Sequence, residues 1–139
     1  MAAFTKFNSF VEAVAEKVHN LQSDTLKVML TLTAPVATNA VKADLTDIAA
    51  GNGYTAGGTA TTVSSSAQTS GTYKLVCTDV TFTASGGSFA NFRYAVLYNS
   101  TATNSELIGF WDYGATVTLT DANSFIVDFD GTNGVLTIA

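Results

Sequence analysis

The chain has 139 residues, a net charge of −5 and a pI near 4.4, with 47% hydrophobic and only 12% charged residues. That length predicts one domain spanning 1–139, and the apolar share excludes a disordered chain. The six cations, Lys6, Lys17, Lys27, Lys42, Lys74 and Arg93, are scattered, which excludes a nucleic-acid surface built on phosphate contacts.

The N-terminal part carries the helical signal. Phe7, Phe10, Val11, Val14, Val18 and Leu21 fall at i, i+3, i+4, i+7, i+11 and i+14, one apolar stripe at helical period. This predicts an amphipathic helix over about 5–21. Thr5 or Asn8 is placed to cap it, and Ser9 with Glu12 has capping-box spacing. The stripe has two possible partners, its own sheet or a neighbouring subunit. A small chain needs the burial, which favours its own sheet. His19 lies beside the stripe near the helix C-terminus, where its charge would meet a favourable dipole. No nucleophile or carboxylate nearby marks it as catalytic.

From about residue 25 to 139 the pattern is β. Thr25 to Leu32 alternates and reads as a half-buried strand, stopped by Pro35, the one proline. Leu45 to Ala49 is expected to make a short helical turn. Gly51 to Gly58 is a glycine-rich loop without the Gly-Lys-Ser/Thr ending of a phosphate loop, so a tight turn is the stronger reading. Thr59 to Gln68 is rich in Ser and Thr and reads as an edge strand.

Tyr73 to Thr78 and Val80 to Ala84 alternate next, and Gly86-Gly87 turns the chain. Cys77 stands alone, so no intrachain disulfide forms; a small buried side chain is the plain reading, an intermolecular disulfide or a catalytic thiol the others. Phe92 to Tyr98 places Phe92, Tyr94, Val96 and Tyr98 on one face. Leu107 to Tyr113, Thr116 to Thr120, Phe125 to Asp130 and Val135 to Ile138 complete the series, the last two joined by a turn at Gly131 to Gly134. Many short strands between frequent turns predict a mainly β chain, an antiparallel sandwich or rolled sheet with one N-terminal helix.

Chemistry-bearing constellations are sparse. Asp128 to Gly134 faintly resembles a calcium loop, but Gly134 falls one place late and no acidic twelfth position follows before Ala139. A turn is the better reading, and no metal or cofactor is expected. Trp111, with Phe110 and Tyr113, offers either core packing or a sugar-stacking face. The remaining interaction candidates are Gly53, Tyr54 and Thr55 in the glycine loop and Thr103 and Asn104 in the Thr101 to Ser105 loop. A surface covered by Thr, Ser, Asn and Gly suits burial against other subunits, because few charges need desolvating. Met1 to Phe10 lacks a basic leader followed by an apolar block, and no run reaches the ~18 apolar residues of a membrane span. A soluble chain made in the cytoplasm is expected, with no membrane partner.

Five strings occur in order: Asp24 to Leu30, Gly51 to Gly58, Phe92 to Tyr98, Leu107 to Gly114 and Gly134 to Ile138. On these the chain resembles a family of small virion structural proteins of tailed bacteriophages. The resemblance implies a place in the particle and no enzymatic activity. It implies a capsid decoration (cement) protein first, and a tail, neck or adsorption part second. A carbohydrate-binding β module is the reading from another class. Low charge and abundant aromatics point to a homo-oligomer, and the resemblance implies contact with the major capsid protein or other virion proteins. In the resembling strings, Tyr54 would pin the glycine loop, and Arg93 would pair with Asp112 or another acid across the sheet.

Overall fold

The computed structural model describes residues 2–139. The elements in chain order are β1 (Thr5–Lys6), α1 (Ser9–Ala15), β2 (Leu26–Thr31), β3 (Thr59–Ala60), β4 (Val63–Thr69), β5 (Thr72–Cys77), β6 (Val80–Thr83), β7 (Phe92–Asn99), β8 (Leu107–Val117), β9 (Ser124–Val127) and β10 (Leu136–Ile138). The protein is mainly β, with antiparallel pairing throughout and a sandwich-like arrangement. One layer is a five-stranded sheet in the order β1-β8-β7-β2-β3. The other is built from a three-stranded sheet, β10-β5-β4, and a two-stranded sheet, β6-β9.

The main core lies between these layers. Leu26, Val28 and Leu30 of β2, Ala95 and Leu97 of β7 and Ile108 of β8 meet Leu75, Cys77, Val80, Phe82, Val127 and Leu136. A second cluster covers the reverse face of the five-stranded sheet, where Met29, Val96, Tyr98 and Leu107 pack with Phe7 and Leu45. β2 is therefore covered on both faces, not half-buried as its alternation predicts. The cover comes from the segment around Leu45, a connection that sequence periodicity does not register. That segment holds a 3₁₀ turn at Lys42–Asp44, and Leu45 is already extended, so the helical turn expected at 45–49 is displaced.

The helix is shorter than its apolar stripe. Thr5 and Lys6 pair with Phe110 and Gly109 as a strand. Lys17 adopts a positive φ of 65°, and Val18 N–H bonds Ala13 O at 2.8 Å while Lys17 N–H bonds Val14 O at 3.3 Å. This is the Schellman ending, made with Lys where Gly is usual, so no residue type marks it. Asn8 occupies the N-cap position without a side-chain cap bond. Phe10 and Ala13 are buried, Val11 is 55% exposed, and Leu21 reaches the main core from beyond the helix. The helix docks on its own sheet: Phe7, just ahead of it, falls in the outer cluster and Phe10 in the inner one, on either side of the β1–β8 end of the sheet.

Two further corrections concern the C-terminal strands. Tyr94 pairs with Asp112 but Phe92 pairs with Val117, so residues 113–116 of β8 bulge out opposite Arg93 alone. The bulge absorbs the separate strand expected at Thr116 to Thr120. It also turns Phe92 into the inner core, away from Val96 and Tyr98. The Gly131 to Gly134 turn exists, but the strands flanking it pair elsewhere, β9 with β6 and β10 with β5.

Candidate functional site

The glycine loop is held from beneath by a buried polar knot. The Tyr54 hydroxyl donates to Asp47 Oδ1 and accepts the Leu30 N–H at 3.1 Å. Asp47 Oδ2 accepts the Gly57 N–H at 2.5 Å, and the Tyr98 hydroxyl donates to Gly57 O at 2.7 Å. Burial and the Asp47 carboxylate push the Tyr54 phenol far above its ordinary range, so it remains a proton donor. The same causes raise Tyr98 to about 12. At Gly58, φ is +79°, and an added Cβ would lie 1.8 Å from Val28 O. The loop therefore crosses β2 at backbone contact, which only glycine permits. Tyr54 is an anchor rather than a contact residue, whereas Gly53 and Thr55 are exposed.

Trp111 lies opposite Ala95 and is half-buried against Phe4 and Phe129, with ring centroids 5.1 and 5.4 Å away. It lines a groove of about 270 Å³ with Tyr113, Phe125, Ile126 and Arg93. Tyr113 is the open ring there, 59% exposed. Arg93 pairs with Asp112 through two bonds, Nε to Oδ1 at 2.7 Å and a terminal nitrogen to Oδ2 at 2.9 Å. The bond to Arg93 and the Gly114 N–H hold the Asp112 carboxyl below the usual carboxylate range. The pair clamps the root of the bulge that carries Tyr113.

Thr103 and Asn104 are exposed at the tip of the Thr101 to Ser105 loop, and the Asn104 amide bonds Glu106 Oε1 at 3.2 Å. Asn99 steadies this loop from below. Its Oδ1 accepts the Thr101 N–H at 3.0 Å, and its amide nitrogen donates to Asp24 Oδ2 at 2.6 Å and to His19 Nδ1 at 3.0 Å. His19 is thus the neutral acceptor in a loop-supporting cluster, with its Nε2 buried and unpartnered. Desolvation lowers its pKa below the ordinary 6.5, against opposing pulls from Glu106 and Asp24.

The predicted contact residues do not converge. Trp111 lines one groove, Thr103 and Asn104 line a separate depression with Lys17, Asp24 and Glu106, and the glycine loop lines neither. Cys77 is buried, and burial pushes its thiol up to about 11. Among the described residues, no group of three or more His, Cys, Asp or Glu is placed to hold a metal ion. Both Asp130 oxygens bond within the turn, Oδ1 to the Thr132 and Asn133 N–H groups at 2.8 Å and Oδ2 to the Asn133 amide at 2.7 Å. No helix among the described residues is long and apolar enough to cross a membrane.

One surface escaped the reading of motifs. Ile48 to Tyr73, 26 residues between Asp47 and Lys74, contains no Asp, Glu, Lys or Arg. This stretch supplies β3, the edge of the five-stranded sheet, and β4, the edge of the three-stranded sheet. One continuous uncharged segment therefore forms the rim of both layers. Its signal in the sequence is a gap in charge rather than a motif. Compared with family models, with curated proteins and with solved structures, the chain matches none.

Proposed function

We propose that this protein is a non-enzymatic structural component of a tailed-phage particle, in first place a decoration protein that binds the outer capsid and reinforces it. The observation that supports this reading is the uncharged rim of β3 and β4, in which Ser65, Ala67, Gln68 and Thr69 are exposed. Such a surface is desolvated at low cost, and many copies bridging capsid subunits would add small contacts into a large reinforcement. The side chains that often serve catalysis act here as scaffold: Tyr54 and Asp47 pin a loop, His19 steadies another, and Cys77 fills core.

Binding to an intact lattice stabilises it by mass action. Particles lacking the protein are expected to assemble and then burst at lower temperature or on osmotic shock, and the purified protein added back should restore resistance. Particles of unchanged heat stability that fail to adsorb to cells would instead support the tail, neck or adsorption reading. The open Tyr113 ring beside the Trp111 groove favours one second reading, saccharide binding. Titration with cell-surface glycans while following Trp111 fluorescence tests it, and an unchanged spectrum removes it.

A further inference from the structure

We infer that the free edge of β4 is a pairing site for β4 of a second copy, joined antiparallel about a two-fold axis. This deepens the particle reading but is measured on the free protein, so either can fail alone.

A sheet edge presents unpaired N–H and C=O groups, and folded proteins usually blunt it by shortness, charge, proline or a bulge. The other sheet edges here are short: β1 and β3 have two residues each, β10 has three, and β6 and β9 have four. β4 has seven residues and, among the described residues, is bonded on one side only, by β5. Its sequence, Val-Ser-Ser-Ser-Ala-Gln-Thr, carries neither charge nor proline. One irregularity lies at its start, between Val63 and Ser65, and leaves Ser65 to Thr69 in regular register. That regular length offers a seam of about 17 Å.

Charge selects the occupant. Two copies of a chain with net charge −5 repel each other over most approaches. At the rim the uncharged stretch from Ile48 to Tyr73 keeps like charges off the two seam strands themselves, leaving Lys74, opposite Ala67 on β5, and Lys17, beside Ser66 to Gln68, as the flanking cations. An isologous seam sets this strand against itself, so Ser, Ala, Gln and Thr face the same neutral set. An acidic or basic strand from another protein would find no complementary charge along the edge.

The test uses the full chain in solution. Sedimentation up to about 1 mM protein should give a concentration-dependent dimer. Hydrogen exchange should show amides of Ser65 to Thr69 gaining protection as concentration rises. Ser65→Lys and Ala67→Lys, both at exposed positions, should each weaken the dimer at least about tenfold without lowering the melting temperature. Val11→Lys adds the same charge on the helix and should leave dimerisation unchanged. A monomer at the highest concentration overturns the inference. So does a dimer insensitive to both β4 substitutions, protection centred on Tyr113 and Ile126, or a β4 edge that pairs only with a strand of another virion protein.

Discussion

At the scale of single residues, most polar chemistry is spent on holding loops. Tyr54→Phe should show this directly. The Leu30 N–H would lose its acceptor and Asp47 its phenolic donor. An orphaned buried donor costs about 1–3 kcal/mol, so equilibrium urea unfolding should report a loss in that range. Gly58→Ala should cost more, because the new methyl meets the Val28 carbonyl, whereas Gly131→Ala has open space around it and an ordinary φ. His19 gives a pH signature of definite sign. Its folded pKa is lowered, so it resists a proton that the unfolded chain accepts. Stability should be independent of His19 above its ordinary 6.5 and fall as pH drops through the lower folded value. Asp112 and Asp130, lowered by bonds to Arg93 and to the Asn133 backbone, act in a second window, losing their contribution below the ordinary 3.8. Unfolding titrations of wild type and His19→Gln separate the two, since only the upper slope should vanish in the variant. With both Asp130 oxygens bonded inside the turn, a chelator should leave the melting temperature unchanged.

At the scale of elements, alternation was the readable signal and cover was not. β2, β5 and β7 lie where Val, Leu, Tyr and Phe alternate, and the edge character of β4 followed from its Ser and Thr content. Polarity pointed Arg93 toward an acid across the sheet without choosing which, and the β7–β8 register supplies Asp112. The helix end was not legible, since Lys17 enters the left-handed region without Gly to announce it. Nor was the β8 bulge: a two-residue period cannot indicate that residues 113–116 leave the ladder. The site candidates fared likewise. Tyr54 was readable as a loop pin, but its burial depends on Asp47 and Phe82, which come from distant segments. The helix offers a paired test. Val14 packs partly buried against the main core, whereas Val11 points to solvent. Val14→Asp should destabilise by several kcal/mol if the carboxylate stays charged, and Val11→Asp should stay within about 0.5 kcal/mol. Thermal melts of the two variants check this, and equal effects would mean that the helix does not dock through this face.

At the scale of the whole molecule, charge is distributed by region. The cations and acids lie on the first 47 residues and on the chain from Lys74 onward; the β3 and β4 strands between them carry none, with Lys27 and Lys74 opposite Ala60 and Ala67 on the neighbouring strands. This separates two kinds of association that salt distinguishes. Contacts between exposed charges weaken as the Debye length shrinks from ~14 Å at about 50 mM to ~4 Å at about 500 mM salt. Burial of neutral polar and apolar surface does not weaken this way, and excluded salts strengthen it. On the proposed capsid reading, contact through the β3 and β4 rim should therefore give nearly constant affinity for particles across that range. The measurement is a particle-binding isotherm, or the burst temperature of reconstituted particles, at the two salt concentrations. A change under about threefold fits the rim. A fall of tenfold or more would move the contact to the charged faces, where Lys17, Asp24 and Glu106 surround the Thr103 and Asn104 loop. In that case Glu106→Gln, which removes one of those charges, should flatten the salt dependence, while Ala67→Lys on the rim should leave binding untouched.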